Sequence, residues 1–290
     1  MLAAGKRAGP AHAVSHGFWM FFRNYFLSLG FSGGYMQREK VSVYVLTYNE
    51  EAKIRDCLES VTWADEIVIL DSFSNDRTLP ICQNYTDKIF QQEFVGFGKL
   101  RNIAIEHCTN NWVLSVDADE RVTPELREEI LKKLTDGPDA DAYFIPRKSH
   151  FLKYWVRHCG WYPDYRQPQF FHKRKMKYRE QMVHEGFDVT GKVAHLRGHV
   201  IQYPFLSLDQ FLKKMDRYSS LRAEDMVKQG ASFHISQVLT HPAATFWRMY
   251  FLKLGFLDGK VGLILSLLYA YYTMLKYAKL WEKLKSQESI

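Results

Sequence analysis

The sequence predicts an α/β fold: a mostly parallel sheet flanked by helices, followed by a helical C-terminal extension. Three observations predict it. Short apolar runs alternate with amphipathic stretches through the first half of the chain. Three of those runs end abruptly in polar or acidic residues. The alternation is lost after residue 140, where basic and aromatic residues take over. At 290 residues, with 47% hydrophobic and 24% charged residues, the chain can hold one large globular domain and a smaller appendage. The expected division is an N-terminal extension over 1–39, an α/β domain over 40–205 and a helical region over 206–290.

The elements follow in order. Val41 to Leu46 reads as a first strand, ending at Thr47-Tyr48-Asn49-Glu50-Glu51, with Asn49 the expected cap of the next helix. That helix spaces its apolar residues at Ile54, Leu58 and Val61. Glu66 to Asp71 is a second strand ending in an acid, and Asp71-Ser72-Phe73-Ser74-Asn75-Asp76 is a capped turn into another helix. Asp87 to Phe90 is a short third strand. Gly96-Phe97-Gly98 leads to a helix that begins Lys99-Leu100-Arg101-Asn102. Trp112 to Asp117 is a buried strand, and Thr123-Pro124 starts a helix as cap and first-turn proline. Strands alternating with helices imply right-handed crossovers and a parallel sheet. Further on, Asp141 to Pro146 reads as a strand, 147–180 as a basic aromatic loop region, and 208–229 as a helix.

Thr47 with Asn49, Asp71, and Asp117 with Asp119 then fall at one edge of the sheet, where open α/β sheets bind ligands. Asp117 and Asp119 straddle Ala118, so on a regular strand they would point the same way. Two adjacent carboxylates call for a cation, and a hard divalent ion, Mg²⁺ or Mn²⁺, also holds phosphates. Past residue 180, Gln181-Met182-Val183-His184-Glu185 puts a metal-ligand candidate beside a carboxylate.

Net charge is +7, which suits an anionic partner, nucleotide phosphate or anionic lipid. No motif that reads nucleic acid accompanies it. Cys57, Cys82, Cys108 and Cys159 are scattered without a CxxC pair, which excludes a zinc finger and fits a reducing compartment. The longest apolar run, Val261 to Leu275, is short for a bilayer span and carries tyrosines, so no spanning helix is expected.

Taken in order, Thr47-Tyr48-Asn49-Glu50-Glu51, Trp63-Ala64-Asp65-Glu66-Ile67-Val68-Ile69-Leu70-Asp71-Ser72, Gly96-Phe97-Gly98-Lys99, Asp117-Ala118-Asp119-Glu120-Arg121, Val183-His184-Glu185 and Gly255-Phe256-Leu257-Asp258-Gly259 make the chain resemble the family 2 glycosyltransferases. The resemblance covers roughly residues 40–285 and is nearest the lipopolysaccharide-core β-1,4-glucosyltransferase group. It implies the GT-A fold, a Rossmann-like sheet, and metal-dependent transfer of a sugar, glucose or another hexose, with inversion from a nucleotide diphosphate donor. It also implies roles. Asp71 reads the nucleobase beside Ser72, and Thr47, Asn49 and Glu50 belong to the nucleoside wall. Lys99 and Arg101 add positive charge near the phosphates. Asp117 holds the ribose or a metal-bound water at the metal site, Asp119 the metal itself, and His184 is a third metal ligand or a leaving-group contact. Glu185 is the general base, with Asp164 and Asp188 as rivals. Relatives of this kind carry a histidine-tyrosine pair where this chain has Gln202-Tyr203; if that histidine binds metal, this chain uses His184 or His199 instead, or binds metal less tightly.

The two ends of the chain repeat each other. His16 to Gly34 aligns without gaps on His241 to Gly259, and ten of the nineteen positions agree. Each copy is rich in aromatic residues and leucine with a few cations, the composition of a segment in a membrane interface or at an oligomer contact such as a homodimer. Lys276, Lys279, Lys283 and Lys285 follow the second copy and suit an anionic cytoplasmic leaflet. The combined expectation is an enzyme at the cytoplasmic face of a bacterial inner membrane, acting on a lipid-linked saccharide. Two rivals remain. A sugar nucleotidyltransferase would want a Gly-rich phosphate loop after the first strand, and Thr47-Tyr48-Asn49-Glu50-Glu51 is not one. A membrane-bound scaffold that has lost catalysis would bind no nucleotide sugar.

Overall fold

A computed structural model describes residues 38–179 and 186–288. The N-terminal repeat copy, His184 and Glu185 lie outside the described residues.

From Arg38 onward the chain forms one compact unit. Its strands are β1 (Val41–Thr47), β2 (Glu66–Asp71), β3 (Ile89–Gln91), β4 (Trp112–Asp117), β5 (Glu120–Val122), β6 (Ala142–Phe144), β7 (Arg147–Phe151), β8 (Tyr154–Trp155), β9 (Pro168–His172), β10 (Met176–Tyr178), β11 (Phe187–Val189), β12 (Val193–His195) and β13 (Val200–Phe205). The helices among them are α1 (Ile54–Glu59), α2 (Thr78–Cys82), α3 (Phe97–His107) and α4 (Pro124–Asp136). Among the described residues the main sheet runs β12-β6-β9-β4-β1-β2-β3. β1 pairs in parallel with β2 and β4, and β2 with β3, while β9 is inserted antiparallel between β4 and β6. The order reverses at β1, because β2 and β3 follow on one side of it and β4 lies on the other. That reversal opens a crevice at the carboxyl ends of β1 and β4, where doubly wound sheets bind ligands.

β1, β2 and β4 are apolar on both faces because helices cover both sides. One face packs Val43, Val45, Ile69, Leu114 and Val116 against Ile54, Leu58, Leu126 and Ile130; the other packs Tyr44, Val68 and Val113 against Leu100 and Ala104. Thr123 caps α4, its side chain accepting from the Leu126 amide, with Pro124 in the first turn. Asn49 does not cap α1. It sits at φ 55° and its Oδ1 accepts from the Asn75 amide at 2.9 Å, so it ties one loop to another. The residue before α1 is Lys53, which makes no side-chain cap.

The stretch 147–180, expected as loop, holds β7 to β10. A second sheet, β5-β13-β7-β8, uses part of it. Period-two burial is present in β7, but the inward positions are Arg147, Ser149 and Phe151. Two buried polar residues conceal the apolar alternation that would have announced a strand.

The C-terminal region contains α5 (Leu208–Lys228), α6 (Gln237–Trp247), a π-helical turn at Arg248–Leu252, a 3-10 turn at Gly255–Asp258 and α7 (Gly259–Glu288). Here the structure corrects a sequence expectation: among the described residues one helix, Gly255–Ser286, is long and apolar enough by length and composition to cross a membrane. Tyrosines and single lysines do not interrupt a helix, so it runs on past Leu275. It is not lipid-facing all round, since Leu265, Ser266 and Leu280 are buried and α7 packs along α5 and α6. The Gly255-Phe256-Leu257-Asp258-Gly259 motif fastens this region. Buried Asp258 accepts from the His158 amide at 2.8 Å, the Arg157 amide at 3.2 Å and His158 Nδ1 at 3.2 Å.

Candidate active site at the carboxyl edge of the sheet

Register delivers the polar strand ends to one place. Thr47 is paired with Asp71 and Leu46 with Asp117, so β1, β2 and β4 end side by side. Asp71 is fully buried. Its carboxylate accepts from the Ser74 amide and hydroxyl and from Gln91 Nε2 at 3.2 Å. The Ser72 amide donates to Thr47 O at 2.9 Å. The loops after β1 and β2 are laced together. The Asn49 amide donates to Ser74 Oγ, the Glu50 amide to Thr78 Oγ1, and the Arg77 amide to Glu51 Oε2. Thr47 Oγ1 is buried with no hydrogen-bond partner, facing a cost of about 1–3 kcal/mol until something fills it. Tyr48 and Phe73 stand exposed on the two loops, and Phe73 adopts φ 61°, a strained conformation for a bulky side chain.

The acidic segment is divided among different tasks. β4 ends at Asp117, Ala118 and Asp119 form a turn, and β5 begins at Glu120. Strand periodicity stops at that turn, so the two aspartates meet partners from different elements. Asp117 Oδ1 accepts from Arg101 Nη2 at 2.9 Å. Burial alone would raise the Asp117 pKa, but Arg101, and then Arg147, outweigh it and hold the carboxyl below its usual range. Among the described residues the Asp119 carboxylate meets a weak donor, Gln202 Nε2, 3.4 Å from each carboxylate oxygen. Glu120 is buried and accepts from Arg147 Nε at 2.5 Å, Gln169 Nε2 at 2.9 Å and the Asp117 amide at 3.0 Å. Burial pushes its pKa from 4.5 to about 7, Arg147 opposing and Asp117 and Asp119 adding to the rise. Arg121 clamps the turn from outside, donating to Ala118 O, Glu120 O and Lys53 O.

Around this edge lie groups that the sequence did not single out. Buried Arg147 reaches from Glu120 to Asp164 Oδ2 at 3.2 Å, and exposed Arg166 binds the same Asp164 at 2.8 Å. Glu50 pairs with Lys53 at 2.7 Å. Burial raises the Glu50 pKa, Lys53 opposes, and Asp119 adds to it. Lys214, on α5, comes within the field of Asp119, Glu50 and Arg166. Desolvation lowers the pKa of its ammonium, and Asp119 opposes. Arg147, Arg166 and Lys214 carry no local signal in the sequence; each is brought in by tertiary packing.

The family model of glycosyl transferase family 2 matches residues 42–197, more than half of the chain. The chain belongs to glycosyl transferase family 2. Its curated relatives include the lipopolysaccharide core biosynthesis glycosyltransferase LpsC of Rhizobium meliloti (strain 1021), 28% identical over 84% of this chain and 92% of that protein. An uncharacterized glycosyltransferase of Rickettsia prowazekii (strain Madrid E) is also 28% identical, over 87% of this chain and 90% of its own. Among solved structures, S. aureus TarS 1–349 in complex with UDP-GlcNAc is similar at 16% identity and a TM-score of 0.44, covering 86% of this chain and 92% of that one.

In this family 2 glycosyltransferase the fold is mixed α/β with a mostly parallel central sheet. Thr47, Asn49, Glu50, Asp71, Ser72, Asp117 and Asp119 gather at its carboxyl edge. Arg101 needs correction. It was expected as a cation offered to phosphates, but it is buried and binds Ser115 Oγ and Asp117. Its length lets it turn inward from the first turn of α3, where Lys99 stays exposed. Asp188, a rival base, is exposed on the β10–β11 hairpin and bound to Arg179 at 2.6 Å. His199 binds Tyr162 Oη at 3.0 Å and lies near Lys148, Glu125 and Glu129, none of them a partner of Asp119. The acids in Trp63-Ala64-Asp65-Glu66 fasten the opposite edge. Asp65 binds Arg38 and the Val41 amide, and Glu66 binds Ser42, Lys88 and Thr109.

A divalent ion fits the donor set at Asp119. Among the described residues no three His, Cys, Asp or Glu side chains form a ready metal cage. Mg²⁺-type sites often have none, using one or two carboxylates plus substrate phosphates. Asp119 and Asp117 would provide those carboxylates.

Proposed function

We propose that this enzyme is a metal-dependent, inverting glycosyltransferase. It moves a hexose from a nucleotide diphosphate sugar to a lipid-linked saccharide of the lipopolysaccharide-core kind, at the cytoplasmic face of a bacterial inner membrane. The observation that carries the reading is the convergence of Thr47, Asp71, Asp117 and Asp119 at the point where the strand order reverses. The acceptor class is supported by the likeness to LpsC along most of both chains.

The residues divide the work as follows. Thr47 Oγ1, buried and unpaired, and Asp71, held rigid by Ser74 and Gln91, bind the nucleoside. Asp119 with Asp117 holds the divalent ion, which would neutralise charge on the departing nucleotide diphosphate. Arg101 fixes the Asp117 carboxylate in the ionised form that this role needs. Inversion requires one base to take the acceptor hydroxyl's proton as its oxygen bonds to the anomeric carbon and the sugar–phosphate bond breaks. Glu185 is assigned that role, with His184 beside it for the metal or the leaving group. Asp164 is the weaker choice because two guanidinium groups already occupy it, and an acceptor hydroxyl would have to displace one.

Titrating a panel of nucleotide sugars in the presence of Mn²⁺, by calorimetry, tests the donor half of the proposal. Binding of one nucleotide diphosphate sugar, abolished by chelation, is the expected result. Binding of none would favour a scaffold without catalysis.

A further inference from the structure

The described copy of the repeat shows which of its residues are shared and which are not. Between His241 and Gly259, the side chains of His241, Arg248, Phe251, Leu252, Leu254 and Phe256 are exposed, and all six recur in the N-terminal copy. Among the described residues of this stretch, Met249 and Asp258 have buried side chains. Both differ in the other copy, where Asn24 and Gly33 stand. Just beyond the repeat the two sequences part as well. Gly262 packs so tightly that a Cβ there would lie 1.8 Å from Gly255 O, yet Gln37 is its counterpart. Buried Gly255 recurs as Gly30, and the exposed Trp247, Lys253 and Leu257 differ as Phe22, Ser28 and Ser32, but the exposed set Phe251, Leu252, Leu254 and Phe256 recurs whole as Phe26, Leu27, Leu29 and Phe31.

The surface of the described copy is apolar and cationic. A π-helical turn and Leu254 at φ 53° break the helix between α6 and α7. Phe251, Leu252, Leu254, Phe256 and Leu257 thereby lie exposed around a turn, with Leu252 68% exposed. Arg248, Lys253 and Lys260 are exposed among them. From Met226 to Trp281 the sequence holds one carboxylate, Asp258, and it is buried against His158. Exposed apolar and aromatic side chains interleaved with uncompensated cations match the interface of an anionic bilayer. A protein partner for so basic a face would need an acidic surface, and a second copy of this chain, at +7, does not offer one overall.

We infer that the turn bearing Phe251, Leu252, Leu254 and Phe256 docks on an anionic lipid surface, and that residues 16–34 carry a second set of the same lipid-contacting side chains. The inference extends the reading of the acceptor as lipid-linked, but it stands apart from transfer, since vesicle binding requires neither donor nor acceptor.

The test is co-sedimentation of the full chain with vesicles of phosphatidylcholine, alone or mixed with phosphatidylglycerol. Replacing Leu252, Phe256 and Leu257 together by Gln should weaken binding to the mixed vesicles about tenfold or more. Replacing Phe26, Leu27 and Phe31 together should do likewise, and both sets together should leave only the phosphatidylcholine level, because two anchors act cooperatively. Arg248→Glu with Lys253→Glu provides a second route that alters no apolar contact, and it should remove the preference for phosphatidylglycerol. Circular dichroism and donor binding should be unchanged throughout. Vesicle binding equal to wild type in the first set overturns the docking face. Equal binding in the second set alone overturns the duplicate role. Conversion of a dimer to a monomer with vesicle binding intact overturns both, assigning the surface to a second copy of the chain.

Discussion

Asp119 and Glu120 adjoin in sequence and have opposite surroundings. Asp119 meets a weak amide donor at the crevice, while Glu120 is enclosed and bound by Arg147, Gln169 and the Asp117 amide. Two different outcomes follow from that contrast. Asp119→Ala should abolish transfer and metal-dependent donor binding and leave the melting temperature nearly unchanged, since a crevice carboxylate adds little to stability. Wild-type turnover in chelator would remove the metal from the scheme. Glu120 should instead govern stability. Its folded-state pKa, about 7, lies above the ordinary 4.5, so the folded protein holds the proton more firmly than the unfolded one. The resulting stabilisation is full below pH 4.5 and is lost as pH rises through 7. Relative to Glu120→Gln, wild type should lose on the order of 3 kcal/mol across that window, read from urea denaturation curves. A constant difference between the two proteins would contradict the assignment. At Glu185, substitution by Gln keeps shape and removes the proton acceptor. Donor binding should survive while turnover falls about 10²–10⁴-fold, and near-normal turnover would redirect attention to Asp164.

At the scale of elements, legibility followed the burial of apolar residues. β1, β2 and β4 announce themselves because most of their buried positions are apolar and their carboxyl ends are polar. β7 does not, because Arg147 and Ser149 occupy its inward positions and serve Glu120 and Gln202. The C-terminal helical region is packed too tightly at two glycines to admit an extra atom. A Cβ on Gly255 would lie 2.7 Å from Cys159 Sγ, across to the rest of the chain, and one on Gly262 would meet the Gly255 carbonyl within the region itself. Gly262→Ala should therefore cost about 3 kcal/mol, overpacking at a backbone contact that cannot retreat. A thermal melt indistinguishable from wild type would show that α7 shifts freely against the turn before it.

For the whole molecule, the proposed function gives the sheet domain and the basic aromatic end separate jobs, and removing the N-terminal copy should separate them. Deletion of residues 1–36 leaves Arg38, which binds Asp65, and the first strand at Val41. The truncated protein should fold and transfer sugar to a soluble acceptor fragment at nearly the wild-type rate. Transfer to an acceptor embedded in anionic vesicles should fall, because one anchor holds far less well than two. Equal rates on both acceptors would show that the segment contributes nothing to membrane engagement.

The sequence by itself determined the alternation of strands and helices, the polar strand ends at one edge, the family, and the repeated aromatic ends. Each of these is local, written as periodicity or as a motif within a few residues. Tertiary structure decided which charges meet. It turned Arg101 inward onto Asp117, set Gln202 beside Asp119, and brought Arg147, Arg166 and Lys214 to the acidic edge from distant parts of the chain. It also carried α7 past an apolar run that is by itself too short for a span, and it placed the recurring Phe251, Leu252, Leu254 and Phe256 on an exposed turn. The physical reason is the same in each case. Hydrophobic periodicity reports only whether a residue is buried or exposed, whereas the pairing of long, charged side chains depends on neighbours that the chain brings together only on folding.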